Sequence, residues 1–136
     1  MAKMSQRIKE IFEKRRVVAL STASRDSMPN VIPVGAKKVI DDETILISDQ
    51  FMDKTLKNMS ENPYAAITFW SGSEGYQLKG TAFYETSGMR FEETAKWVKE
   101  MGKSLNKSLK SKGLVIFKIT EIYNVSPGPD AGKRLG

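Results

Sequence analysis

The sequence predicts a mainly β domain, a small six-stranded antiparallel barrel with helices over its ends, and three observations carry that expectation. Six runs rich in β-branched and aromatic residues are bounded by Gly, Pro, Asn, Asp or Ser clusters. Several of the connections are short, which favours antiparallel pairing. One amphipathic helix precedes the first run and another precedes the last, and closing the sheet into a barrel removes exposed edges. Residues 1–136 read as one domain, long enough to bury a core without metal or disulfide staples.

Met4, Ile8, Ile11 and Phe12 recur at helical spacing, and Arg15 and Arg16 place positive charge at a helix C-terminus, so residues 3–15 are expected to be helical. The period then changes. Val17 to Thr22 is a strand run closed by the turn cluster Arg25 to Pro29, and a second run follows directly from Asn30 to Ile40. Asp41-Asp42-Glu43 reads as a solvated turn before a third run, Thr44 to Ser48. Asp53 to Glu61 is helical in character, with Leu56 and Met59 three apart, Asp53 as its expected cap and Asn62-Pro63 as its stop. Tyr64 to Trp70 and Tyr76 to Thr86 are the fourth and fifth strands; Gly80 inside the latter predicts a bulge or a close backbone approach. Phe91, Ala95, Val98, Met101, Leu105 and Leu109 form a further amphipathic stripe, with a possible break at Gly102, before the final strand Leu114 to Val125 and a turn-rich tail expected to be irregular.

Composition narrows the chemistry. The 136 residues include no Cys and no His, which removes disulfides, thiol nucleophiles and Ser-His or Cys-His dyads and leaves no usual zinc ligand set, so no metal is expected. Carboxylates, Lys, Tyr or a cofactor with its own reactivity must carry any reaction, and the cofactor gains most from these exclusions. No apolar run approaches a membrane span. The start is charged from Lys3 onward and lacks the pattern of a secretory signal, so the cytoplasm is the expected compartment. The net charge of +6 is uneven: residues 96–112 alone carry +5, while residues 19–95 carry −4. A solvated helix face is the expected reading of that basic stretch, with nucleic-acid binding as the competitor.

The segment Ser48-Asp49-Gln50-Phe51-Met52-Asp53-Lys54-Thr55 runs from a strand end into a helix start. Unpaired N–H groups there, with the ammonium of Lys54 and the hydroxyl of Thr55, suit a phosphate. Pro33, within Asn30-Val31-Ile32-Pro33-Val34, removes a ladder donor and places that run at an edge or bulge. Its freed backbone groups could bond the polar rim of a flat ligand, or the proline could simply guard an edge. Trp70, Tyr76 and Phe83 are strand aromatics expected in the core rather than stacked on a ring system.

Val18 to Thr22, Met28 to Val34, Thr44 to Ser48, Lys54 to Asn58 with the Glu61-Asn62-Pro63 ending, and Leu78-Lys79-Gly80-Thr81-Ala82 follow one another in an order that resembles the FMN-binding split barrels related to pyridoxamine 5′-phosphate oxidase. The resemblance runs from about Glu10 to Val125. It implies a Greek-key split barrel and a homodimer with FMN in clefts between subunits. It also implies that Lys54 and Thr55 hold the phosphate and that Asn30, Val31, Ile32, Pro33 and Val34 run along the flavin ring through backbone contacts. Ile47, Ser48 and Asp49 would border the ribityl chain and ring, with Asn58 and Gln77 as weaker transfers. The implied activity is that of a flavin-dependent oxidoreductase or electron carrier with no catalytic side chain of its own. Two departures set it apart from the oxidases that make pyridoxal phosphate: their C-terminal basic motif is missing, and Asp53-Lys54 stands where they carry Arg-Lys. The chain looks closer to the short FMN-binding members, with the deazaflavin F420 as an alternative cofactor, and is not expected to oxidise pyridoxamine phosphate.

Overall fold

The computed structural model describes residues 2–136. In chain order its elements are α1 (Gln6–Lys14), β1 (Val18–Ala23), β2 (Pro29–Val34), β3 (Lys37–Asp41), β4 (Thr44–Asp49), α2 (Lys54–Glu61), β5 (Tyr64–Ser71), β6 (Glu74–Glu85), α3 (Met89–Ser104) and β7 (Gly113–Asn124). The strands form one antiparallel sheet in the order β2-β1-β5-β6-β7-β4-β3. Its two edge strands, β2 and β3, are consecutive in the chain, so Gly35 and Ala36 join opposite edges of the sheet and curl it into a half-barrel.

That junction is where the observed fold departs from six strands. The expected run Asn30 to Ile40 is two strands, because β2 pairs with β1 while β3 pairs with β4. Gly35 sits at the change of partner, where a Cβ would make a tight 3.3 Å contact with the Arg16 carbonyl oxygen. The Ala36 carbonyl already accepts from Ser48 N at 2.9 Å and so begins the new ladder.

Alternate strand residues fill the interior: Leu20, Ile45, Ile47, Ile67, Leu78, Val115, Phe117 and Ile122 are all buried in one cluster. Parity shifts once in β7, where Gly80 pairs with Ile119 but Lys79 pairs with Glu121, so Thr120 bulges and the inward series passes from Ile119 to Ile122. Gly80 lies opposite this bulge, and a Cβ there would come 1.9 Å from the Lys118 carbonyl oxygen, so both the bulge and the close approach expected of this glycine are present.

Helices α1 and α2 close the two ends of the barrel. Ser5 caps α1 by accepting from Ile8 N, and Phe12 meets Phe69 edge-on at 5.2 Å. The buried Lys37 ammonium donates to the Phe12 carbonyl at 2.8 Å, satisfying one of the last carbonyls of α1, and burial lowers the Lys37 pKa. The turn Asp41-Asp42-Glu43 is not merely solvated: Asp42 accepts Met4 N through its carbonyl and Lys9 through its carboxylate, which latches the entry of α1. Helix α3 lies outside the barrel, where Phe91 packs on Leu46, Leu114 and Ile116. Strand β4 is consequently buried on both faces.

Helix α3 runs through Gly102 without the expected break and stops at Ser104, short of Leu109, where the chain turns back and Asn106 takes a left-handed φ of 55°. The tail folds along the free edge of β7: Leu135 N donates to Ile122 O at 2.7 Å, and Tyr123 bridges Arg134. Trp70 and Phe83 are 57% and 54% exposed, so these two aromatics lie outside the core, whereas Tyr76 packs against it. Among the described residues, no helix is long and apolar enough to cross a membrane.

Candidate functional site

Two clefts open at the seam where β2 leaves the ladder and β4 leads into α2. One, of about 330 Å³, is lined by Ile32, Pro33, Val34, Ser48, Lys54 and Thr55, together with Gly35, Ala36 and the connection from Gln50 to Asp53. The other, of about 390 Å³, includes Asn30, Lys54, Lys57, Asn58 and Arg25. Lys54 lies between them and borders both.

Strand β2 is an edge, as Pro33 predicts, and its pattern of exposure explains what it offers. Pro29 and Pro33 have no N–H to give to β1, so with Val31 they belong to the strand edge that faces away from β1. That edge displays carbonyls and the Val31 N–H. The Val31 side chain itself lines neither cleft and is 64% exposed.

Helix α2 begins without a side-chain cap. Asp53 occupies the cap position but accepts no hydrogen bond there, contrary to its expected role, because its backbone (φ −131°, ψ −81°) is not the extended one that capping uses. The first N–H groups of α2 therefore remain available at the end where its dipole is positive. Thr55 is buried in the first turn, and its Oγ1 accepts from Asn30 Nδ2 at 3.0 Å. The Thr55 hydroxyl hydrogen is left for another acceptor. Asn58 is buried as well and donates to Thr22 Oγ1 at 3.1 Å, which ties α2 to β1.

Asp49 is 1% exposed and lines neither cleft, since its two carboxylate oxygens accept from Met52 N (2.9 Å) and from the Tyr84 hydroxyl. It braces the connection from β4 to α2. Burial, followed by the bond to Asp49, pushes the Tyr84 pKa well above that of a free tyrosine. Ile47 is wholly buried in the core, and Gln77 lies on the outer face of β6, across from Thr68 and Tyr123. Neither meets the clefts within one protomer. The structure thus gathers Asn30, Ile32, Pro33, Val34, Ser48, Lys54, Thr55 and Asn58 at the seam and leaves Val31, Ile47, Asp49 and Gln77 outside the cleft walls.

Gln50 joins the site without having been singled out from the sequence. Among the described residues, its Nε2 is the one buried side-chain nitrogen or oxygen without a hydrogen-bond partner, and it lines the same cleft as Lys54. The signal was present: Gln50 is a polar residue inside the strand-to-helix segment that carries Lys54. Phe51, 87% exposed at the same cleft, is the other addition. The donors assembled here are an ammonium, uncapped helix N–H groups, a hydroxyl hydrogen and an unpaired amide, against one carboxylate, Asp53. Such a set fits a phosphate and the acceptor-rich rim of a flavin.

Comparison with known proteins bears on this geometry. The family model described as pyridoxamine 5′-phosphate oxidase matches residues 4–126. An uncharacterized protein of Methanocaldococcus jannaschii is 47% identical over 125 residues, covering 90% of this chain and 81% of that one. The crystal structure of HupZ from Group A Streptococcus superposes with a TM-score of 0.79 at 24% identity, covering 95% of this chain and 99% of that one. An FMN-binding protein from Syntrophomonas wolfei gives 0.74 at 21% identity, covering 87% and 82%. At these identities the two structures speak to the fold.

Proposed function

The chain belongs to the pyridoxamine 5′-phosphate oxidase family, and from that premise we propose that it is an FMN-binding flavoprotein, a single domain over residues 1–136 that acts as an oxidoreductase or electron carrier in the cytoplasm. The observation that carries this reading is the convergence of donors at the seam: Lys54, the uncapped start of α2, the free hydroxyl hydrogen of Thr55 and the unpaired Gln50 amide. The FMN-binding neighbour supports the choice of cofactor.

In this reading Lys54 and Thr55 hold the phosphate, and the outward edge of β2 from Asn30 to Val34 meets the ring. Ser48 and Gln50 bound the cleft from the β4 side. When bound, FMN supplies hydride or one-electron transfer, and the protein contributes binding, orientation and exclusion of water.

The same reading makes the active form a homodimer. Among the described residues, no helix covers the outer face of β1, β5 and β6, where Ala19, Ser21, Ala66, Thr68 and Gln77 are half-buried beside the exposed Trp70. A second copy seated on that face would bring its Gln77 toward the seam. Oxidation of pyridoxamine phosphate is not part of the proposal: the tail cation Arg134 is engaged by Glu121 at 3.5 Å, and Lys133 lies beside Asp130. The test is absorbance of the purified protein, followed by titration of apoprotein with FMN, riboflavin and a deazaflavin. Tight one-to-one binding of FMN supports the reading; exclusive binding of the deazaflavin moves the chain to that cofactor, and binding of neither overturns it.

A further inference from the structure

A separate and larger cavity, about 950 Å³, lies between α3 and the loop that follows it, and its far end meets the seam where Ser111 bonds Ser48. Its floor is apolar, built from Phe91, Ala95 and Leu109. Its rim carries five lysines: Lys96, Lys99 and Lys103 from α3, and Lys107 and Lys110 from the loop.

The loop wall is held in place. Gly102 has no side chain, and a Cβ there would lie 2.7 Å from the Lys107 carbonyl and 3.0 Å from Leu109, so only glycine lets the loop return this closely. Lys107 N donates back to Gly102 O at 2.7 Å, and Ser111 closes the far end through a 2.7 Å bond from Ser48. The cavity is therefore formed by packing and hydrogen bonding rather than by a loose terminus.

Charge is the second observation. None of the five rim lysines makes an ion pair or a side-chain hydrogen bond among the described residues, so five positive charges gather around one groove without a carboxylate in its lining. Lysines three and four residues apart on one helix face repel one another, and here their stems converge on an apolar floor. An ammonium is a flexible point charge, which suits several separated anionic groups better than one bidentate group. The one aromatic ring, Phe91, is committed to packing against Leu46, Leu114 and Ile116, so the cavity offers no platform for stacked bases.

We infer that this groove binds an organic anion that combines an apolar body with two or more carboxylate, sulfonate or phosphate groups. The inference does not rest on flavin binding at the seam. Its test uses the dianionic aromatic dye bis-ANS, titrated by fluorescence at about 0.15 M salt with and without excess FMN. The expected result is saturable binding near one dye per chain, weakened about tenfold or more in the double variant Lys99→Glu/Lys103→Glu. The same charge change at the C-terminal end of α1, Lys14→Glu/Arg15→Glu, should leave affinity unaltered. Dodecanedioate should displace the dye where inorganic phosphate at equal concentration does not. Equal losses in both double variants, or no loss in the first, would overturn the proposal. Displacement by phosphate as efficient as by dodecanedioate would reduce the groove to a simple charge patch. Stronger displacement by oligothymidylate would assign the surface to nucleic acid. All four substituted residues are exposed, so circular dichroism of the variants should match the parent chain.

Discussion

Tyr84 on β6 donates its hydroxyl hydrogen to Asp49 on β4 even though β7 lies between those strands. The bond passes over Gly113, where a Cβ would stand 2.0 Å from the tyrosine oxygen. A glycine in the sheet, a phenol and a carboxylate thus fix the connection that carries Gln50 and Lys54.

Removing the phenol exposes this brace to measurement. Tyr84→Phe leaves a buried carboxylate oxygen of Asp49 without a partner and should cost about 1.5–3 kcal/mol near neutral pH. In the unfolded chain tyrosine ionises near pH 10, whereas in the fold burial and Asp49 hold the pKa higher, so above that pH the native state binds more protons. The contribution is complete below about pH 10 and is lost as the pH rises further. Urea unfolding should therefore show a gap between parent and variant that narrows above about pH 10; a gap independent of pH would contradict the argument.

Gly80→Ala places a methyl group against the Lys118 backbone carbonyl, at 1.9 Å before any relaxation. Main chain cannot give way as a side chain tip can, so the bulge must open. The expected loss is about 3 kcal/mol or more, at or beyond the upper end of overpacking penalties. Denaturation midpoints within a few tenths of a molar of the parent would show that the bulge tolerates a side chain.

Lys54→Ala should weaken FMN by about 1.5–3 kcal/mol and leave riboflavin nearly unaffected, because only FMN carries the phosphate. Calorimetric titration of both ligands separates the cases. Equal weakening would remove Lys54 from the phosphate site.

Ala66→Lys puts a charge in the middle of the uncovered outer face, opposite Ser21 on β1 and Lys79 on β6. A symmetric interface buries the substitution twice, so dimer affinity should fall by roughly a hundredfold or more. Sedimentation velocity reads the change, and FMN affinity should fall with it. A monomer that keeps the parent affinity for FMN would show that one protomer suffices.

Most strands were legible because their apolar pattern is local, and Val18 to Ala23 and Thr44 to Asp49 lie within a residue of the expected runs. The division of β2 from β3 was not, since nothing near Gly35 announces a change of strand partner. Leu105 and Leu109 continued the helical period and yet leave α3, because Leu109 packs back across Gly102 from the loop. Trp70 could have been placed outside from parity alone, as Ala65, Ile67 and Phe69 already face inward. Lys54 and Thr55 could be read together because one strand-to-helix segment carries them, whereas Asn58 entered only through the family resemblance. The Tyr84 bond to Asp49 joins residues 35 positions apart, and no local pattern encodes it.

The seam has a thermodynamic consequence. The edges of the sheet are joined covalently through Gly35 and Ala36, and the smaller cleft touches both β2 and the exit of β4. A molecule seated there bridges β2 and the exit of β4, which no ladder connects. At a free concentration one hundred times its dissociation constant it would add about 2.7 kcal/mol to folding, raising the melting temperature in a concentration-dependent way. Amide exchange should slow first in β2, which lines the cleft and whose outer edge lacks a neighbouring strand, and least in β6, which is flanked on both sides. Those two readouts report occupancy even for a ligand that has no visible colour and undergoes no turnover.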